Sequence, residues 1–249
     1  MLWGARRYII FLLRRTSQLR HILKISILLE RNKLTSGTTW HSAAQVRALR
    51  SSQNLTRMIQ YSVELYSQLE QETGQNVGWI QKGSLSIATT PDRLVHIKRQ
   101  EALAHAYGLD ATTISKSEAL ERWPLMHGDD VLGAVWSPDD GRVSPSDVCA
   151  ALTKGAKSSG NQIFENCGVT AVLTKNGRIT GVETTQGTVM CDAIAVCSGL
   201  WSREIGAMAG AEIPVLACEH FYLLTKPIDG IRGNTPTLSD HDSHLYIRD

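Results

Sequence analysis

Several familiar chemical signatures are missing from these 249 residues, and each absence narrows the reading. No G-x-G-x-x-G turn lies upstream of the first strand-like run, so the usual glycine-rich cradle for a pyrophosphate is absent there. Nucleophile elbow, P-loop and H-E-x-x-H are absent too, and no Cys/His spacing suggests a metal. The longest apolar run near the N-terminus, Tyr8 to Leu13, is far too short to span a bilayer. No small-residue cleavage site follows it, which argues against a secretory signal. A surplus of one charge is lacking overall: 26 basic against 24 acidic residues leave +2, which gives no ground for a nucleic-acid partner. The five cysteines (Cys149, Cys167, Cys191, Cys197, Cys218) are odd in number and form no C-x-x-C pair. Cys191 and Cys197 flank an apolar run, so reduced, buried thiols and a reducing compartment are expected.

One absence is local. Before Glu30 the chain carries Arg6, Arg7, Arg14, Arg15, Arg20 and Lys24 but no acid. A basic, acid-free, partly amphipathic segment over 1–24 has the character of a mitochondrial presequence, with an ordinary basic helix as the alternative. The first implies the mitochondrial matrix, the second a cytoplasmic protein.

What the sequence does contain is concentrated between Ile27 and His41. Ile27-Leu-Leu-Glu30 is an apolar strand ending in an acid, and Ser36-Gly-Thr-Thr-Trp-His41 is a small, donor-rich loop carrying an indole and an imidazole. An acid at the tip of the second strand of a dinucleotide fold accepts hydrogen bonds from an adenosine ribose. Backbone N–H and hydroxyl groups in the loop suit an anion. Taken singly, Glu30 could be a solvated loop charge and His41 a packed histidine.

Further along, the spacing of Leu55, Met58, Ile59, Tyr66 and Leu69 predicts a helix over 54–73 that stops at Gly74. Helices are also predicted from Pro91 to Tyr107, from Ser115 to Trp123 with a Ser115/Glu118 capping box, and from Ser146 to Lys157 behind Ser144-Pro145. Gly83 to Ala88 alternates like a half-buried strand, and Val131 to Trp136 is a strand before the turn at Pro138 to Gly141. Strands near Ile163-Phe164, over Val169 to Leu173 and over Ile179 to Glu183, with a hairpin at Asn176-Gly177, form a meander. The turn at Gln186-Gly187 leads into Val189 and a strand over Ala193 to Cys197. This is an α/β pattern with an inserted antiparallel portion. Gly199-Leu-Trp201 would let backbone approach a ligand or simply turn the chain into a helix. Glu219-His220-Phe-Tyr222 would place His220 and Tyr222 on one face of a strand.

Several of these segments together resemble the FAD-dependent glycine-oxidase/D-amino-acid-oxidase superfamily, within it the sarcosine and dimethylglycine dehydrogenases. The match is carried by Leu28-Leu-Glu-Arg31 with Leu34-Thr-Ser-Gly-Thr-Thr-Trp-His41, by Glu72-Thr-Gly74 with Gly78-Trp-Ile-Gln81, and by Pro124-Leu-Met126. Asp140-Gly141 with Ser144-Pro145, Glu165-Asn-Cys167 with Val169-Thr170, Ser198-Gly-Leu-Trp201, Glu219-His220 and Asp240-His-Asp242 with Tyr246 and Arg248 extend it. Sarcosine dehydrogenases are the nearer branch. The resemblance implies a Rossmann-like FAD-binding domain over 25–78 and 143–205, incomplete at its N-terminus, with an inserted, truncated antiparallel α+β substrate domain over 79–142 and 206–249. It implies that Glu30 and Arg31 meet the adenosine ribose and that Gly37, Thr38, Thr39, Trp40, His41, Ser42, Ala43, Ala44 and Gln45 wrap the pyrophosphate and flavin. His41 would bond covalently to FAD, Val169 would lend its backbone to adenine, and Gly199 and Trp201 would approach the flavin. His220 and Tyr246 would stand near the substrate amine, orienting it or accepting a proton. The implied reaction is oxidative N-demethylation of sarcosine or dimethylglycine by hydride transfer to flavin, with an electron-transfer flavoprotein as acceptor.

Against the pattern, the glycine-rich turn before Ile25 is missing, Ala44 stands where the family has glycine, and the family's C-terminal folate-binding part has no counterpart. The chain is therefore expected to be a fragment. A non-catalytic regulator of the pyruvate dehydrogenase phosphatase regulatory subunit type, and an N-methyl amine oxidase passing electrons to oxygen, are the rival readings.

Overall fold

A short buried strand begins the structure, a computed structural model that describes residues 27–231 and 233–249. The expectations for the basic segment 1–24 lie outside those residues. In chain order the elements are β1 (Ile27–Leu29), β2 (Gln45–Val46), α1 (Gln53–Thr73), β3 (Ser84–Ala88), α2 (Pro91–Ala106) and β4 (Thr112–Ile114). Next come α3 (Lys116–Arg122), β5 (Gly133–Ser137), β6 (Gly141–Arg142), α4 (Pro145–Ser158), β7 (Gln162–Phe164), β8 (Val169–Lys175) and β9 (Arg178–Thr184). The series ends with β10 (Gly187–Met190), a 3-10 turn over Gly199–Trp201, α5 (Ser202–Met208), β11 (Thr237–Asp240) and β12 (Leu245–Ile247). The fold is mixed α/β, and its contacts divide it into two compact units: one of the residues up to His41 with Leu152–Tyr222, the other of Ser42–Ala151 with Leu223–Asp249.

In the first unit β1 pairs in parallel with β7, Leu28 opposite Ile163. Leu28 and Leu29 are both buried, as a continuous apolar run in a parallel pair requires. β8, β9 and β10 form an antiparallel meander, while the strand at Ile163-Phe164, expected in it, pairs with β1 instead. Asn176 and Gly177 take φ of 51° and 73°, the doubly left-handed geometry that lets a two-residue hairpin follow the strand twist. Leu29, Cys167, Val169, Val182 and Ile205 make the core of this unit. The run Ala193 to Cys197 is not a strand. Among the described residues it has no ladder partner, and Cys197 stands exposed with Cys191 half-buried, which corrects the expectation of buried thiols at both.

The second unit centres on a five-stranded sheet in the order β12-β11-β3-β5-β4. Its neighbours are antiparallel except β11 and β3, which run parallel. Leu85, Ile87, Ala134 and Leu238 pack from one face against Ala119 of α3, Ile114, Trp123 and Val131. Ala88 and Val135 meet Ile97 and Ala104 of α2. Fully burying a side chain such as Leu85 contributes about 2 kcal/mol. β3 was predicted as half-buried, yet all five of its residues are buried. Its serine face is closed because hydrogen-bonding partners for the serines are buried with it (below). Gly83, at φ +74°, lies under the Trp136 ring, where a Cβ would come within 2.1 Å of the indole. Glycine is required there on both counts.

The helix ends follow their sequence signals. Ser52 caps α1 by accepting the Leu55 N–H, and Gly74 closes it in the left-handed region with its N–H on the Glu70 carbonyl at 2.7 Å. Thr90 caps α2 ahead of Pro91. The Ser115/Glu118 capping box is formed in both directions.

Candidate functional site: a strand tip, a pinned loop and an imidazole

Glu30 ends β1, and its backbone is fixed on both sides: its N–H donates to the Phe164 carbonyl at 2.9 Å, and its carbonyl accepts the Cys167 N–H at 2.9 Å. The carboxylate is 2% exposed and turns back to accept the Asn32 N–H at 2.8 Å. Burial removes the reading of Glu30 as a solvated loop charge. A carboxylate desolvated at a strand tip is an acceptor held ready for a hydroxyl donor. Arg31 lays its aliphatic stem over Gly168, whose Cβ, if present, would lie 3.2 Å from the Arg31 Cγ. Val169 is buried at the start of β8, next to Gly168.

The loop after Glu30 is pinned by the turn after β7. Glu165 accepts the Leu34 N–H at 2.7 Å and the Lys33 ammonium at 3.2 Å, and the Asn166 N–H donates to the Asn32 carbonyl. The Leu34 N–H, more than Lys33, holds the Glu165 carboxyl below the usual carboxylate range. Ser36 closes a tight turn, its hydroxyl donating to the Lys33 carbonyl at 2.7 Å. Gly37, Thr38 and Thr39 follow on this framework, and then two rings reach solvent. Trp40 is 53% exposed and lies against His41, centroids 3.7 Å apart and planes at 33°. The His41 Nδ1 lies 3.1 Å from the Tyr222 hydroxyl, across 181 residues of sequence.

In the same unit, Gly199 opens the 3-10 turn at φ +55° with no atom near where a Cβ would stand. Ser198 and Ser202 anchor that turn through a buried hydroxyl pair at 3.2 Å, and Trp201 is half-buried. His220 is exposed in an irregular segment, so it and Tyr222 do not share a strand face.

The remaining expected residues belong to the second unit. The Ala44 N–H donates to the Ser42 hydroxyl at 3.0 Å, Ala43 is half-buried, and the Gln45 amide donates to the Ile247 carbonyl at 3.2 Å, one residue from Tyr246 on β12. Ala44 is buried with φ +56°, a left-handed residue with a side chain. Glycine, which the resemblance implies at this position, would take that backbone without strain.

Beside them lies a group that sequence reasoning missed. The Arg47 guanidinium is tied to the hydroxyls of Ser239 and Ser86, with its Nε 4.0 Å from Asp140. Asp140, 3% exposed, accepts the Ala48 N–H at 2.8 Å and the Ser84 hydroxyl at 2.6 Å. Ser86 also lies 3.4 Å from the His241 Nε2. Burial lowers the Arg47 pKa against the pull of Asp140, and raises that of Asp140 against its hydrogen bonds from Ser84 and Ala48. Burial, then Arg47 and Arg93, lower that of His241. The only signal in the sequence was the pair Ser84 and Ser86 at alternate positions of β3, with an arginine too distant in sequence to pair by any local rule.

Glu30 as a desolvated acceptor, the pinned donor-rich loop, the solvent-facing rings and the open side of Gly199 fit a flavin dinucleotide. Thr35 in that loop, at φ +66°, is a strained residue, as is Ala44 in the second unit. Among the described residues no group of three or more His, Cys, Asp or Glu side chains could hold a metal ion, and no helix is long and apolar enough to cross a membrane.

Comparison with known proteins gives the family. The family model of FAD dependent oxidoreductases matches residues 23–249. The chain is 38% identical over 240 residues to the mitochondrial sarcosine dehydrogenase of Mus musculus, covering 92% of this chain and 26% of that protein. It is 40% identical over 241 residues to the mitochondrial pyruvate dehydrogenase phosphatase regulatory subunit of the same species, covering 94% and 27%. It therefore spans about a quarter of the length of these curated relatives. Among solved structures, L-proline dehydrogenase from P. horikoshii superposes with a TM-score of 0.78 at 25% identity, covering 88% of this chain and 59% of that one.

Proposed function

Since the chain belongs to the family of FAD-dependent oxidoreductases, we propose that it is the flavin-binding part of an enzyme oxidising a small N-methyl amino acid, sarcosine or dimethylglycine. The observation that carries this reading is the continuous unit from a buried Glu30 to an exposed His41. Glu30 would accept from the adenosine ribose, with Arg31 beside it and Val169 at the adenine. The loop from Gly37 to Gln45 would supply N–H and hydroxyl donors to the pyrophosphate. His41 would tether the isoalloxazine, and Gly199 and Trp201 would approach it. Bound FAD would take a hydride from the N-methyl carbon. His220 and Tyr246 are each assigned to the substrate amine, to orient it or to take its proton.

The names of the similar proteins support a mitochondrial location. In that compartment an electron-transfer flavoprotein would be the acceptor.

The test is the colour of the protein. Loaded with FAD and purified, the chain should be yellow, and its flavin should stay attached after acid precipitation. His41→Ala should release it. Folded protein that stays colourless would overturn the reading. It would favour a non-catalytic regulator, for which the 40% identity to the phosphatase regulatory subunit is the supporting observation.

A further inference from the structure

The one hydrogen bond made by the His41 imidazole among the described residues is to Tyr222, a residue to which no role is assigned. Tyr222 lies in an irregular stretch, its ring 55% exposed and flanked by Phe221 and Leu223, both 84% exposed. A side chain so exposed has no packing to fix it. Its hydroxyl nevertheless reaches the His41 Nδ1 at 3.1 Å, with ring centroids 6.0 Å apart and planes at 58°. Trp40 lies against the same imidazole at 3.7 Å, so the exposed ring touches an indole on one side and a phenol at Nδ1.

A neutral imidazole carries one N–H and one lone pair, and the hydrogen bond at one nitrogen decides what the other presents. If the phenol donates to Nδ1, Nε2 keeps the proton and cannot bond to carbon. If the phenol oxygen accepts from Nδ1–H, Nε2 presents its lone pair. We infer that Tyr222 is a positioning residue that holds His41 as the Nδ1–H tautomer, leaving Nε2 as the nitrogen that joins the flavin. This rests on the tethering reading above. In that linkage Nε2 would bond to the flavin's ring-methyl carbon as one C–H proton and the Nδ1 proton leave to solvent, and the two electrons released would pass by way of the flavin ring to dioxygen, giving hydrogen peroxide. Tyr222 takes part in none of these bond changes. Its oxygen receives the Nδ1–H and so stabilises the positive charge the ring carries while the new bond forms.

Water favours the opposite tautomer of a free imidazole, so the inference has a readout that needs no turnover. Long-range proton–nitrogen NMR of the chain labelled with 15N-histidine should show His41 protonated on Nδ1 before flavin is added. Tyr222→Phe, which keeps the ring, should move the proton to Nε2. It should also slow the appearance of acid-stable flavin fluorescence on a denaturing gel by on the order of tenfold, as loss of the partner of a ligating histidine's second nitrogen does at metal sites. Phe221→Leu, one residue away, should change neither. A wild-type His41 protonated on Nε2, or a Tyr222→Phe protein with unchanged tautomer and unchanged incorporation, would overturn the inference. Wild-type protein that releases all its flavin into acid would overturn the tethering reading instead, and the NMR spectrum separates that failure from the first.

Discussion

Each unit buries a carboxylate, and the two carboxylates sit in different company. Asp140 in the second unit is enclosed by groups from β3 and the segment after β2: Arg47, Ser84 and the Ala48 N–H all converge on it. Glu30 in the first unit turns to the backbone of its own loop, at Asn32. Around Asp140 the sheet is deep and its polar face sealed, with Ser84, Ser86, Thr237 and Ser239 all below 4% exposure. Beyond Glu30 the chain runs out to exposed Trp40 and His41, and the apolar stretch Ala193 to Cys197 lies largely at the surface. In the second unit Arg47, Asp140, Ser84, Ser86 and Ser239 bond to one another, while the Thr237 hydroxyl is buried without a partner among the described residues. The first leaves the rings of Trp40, His41 and Tyr222 at the surface, in a chain that belongs to the FAD-dependent oxidoreductases.

The sharpest way to break the contrast is to remove the carboxylate from the closed network. Asp140→Ala leaves the Arg47 guanidinium without its counter-charge and strips the acceptor from Ser84 and the Ala48 N–H. The expected loss is about 3 kcal/mol, since orphaning one half of a buried ion pair leaves a desolvated charge. Urea unfolding measures it. A loss below about 1 kcal/mol would mean that the network is solvated and the contrast is illusory.

The matching change in the first unit should act on binding. Glu30→Gln keeps the shape and an acceptor oxygen but removes the charge that strengthens a hydrogen bond from a ribose hydroxyl. FAD affinity should fall about tenfold, equivalent to roughly 1.4 kcal/mol, with the urea midpoint close to that of wild type. Fluorescence titration of the flavin reads the first quantity. Unchanged affinity would remove Glu30 from the ribose site and leave it a structural acceptor.

The contrast also explains which parts were legible in the amino-acid order. Helices with local signals came through nearly to the residue: α1, expected over 54–73, spans Gln53–Thr73 and closes at Gly74, and Ser115 with Glu118 opens α3. Capping and hairpin chemistry act over a few residues, so spacing alone exposes them. Glu30 and His41 were visible because the strand–acid–loop is contiguous. The Arg47–Ser86–Ser239 cluster was not, for it joins residues 39 and 192 positions apart. Tyr222 stood out only within Glu219-His220-Phe-Tyr222, and nothing local paired it with His41. Ala193 to Cys197 misled for the opposite reason: its composition suits a strand, but a strand needs a neighbour, which composition does not reveal.

The smallest expected effect lies at Ala44, where the two kinds of region meet in sequence. Its φ of +56° costs an L-residue about 1–2 kcal/mol, and glycine would remove that strain. Two terms oppose the gain. A glycine frees the unfolded chain by about 0.5–1 kcal/mol, and the lost methyl, on a residue 7% exposed, forfeits up to about 0.8 kcal/mol of burial. The Ala44 N–H to Ser42 and the Ala44 carbonyl to Val143 are backbone interactions that the substitution leaves in place. Strain should win narrowly, so Ala44→Gly is expected to raise stability by about 0.5 kcal/mol in urea titration. A loss of about 1 kcal/mol would show that the methyl is worth more than the strain, and that alanine stands there for its packing.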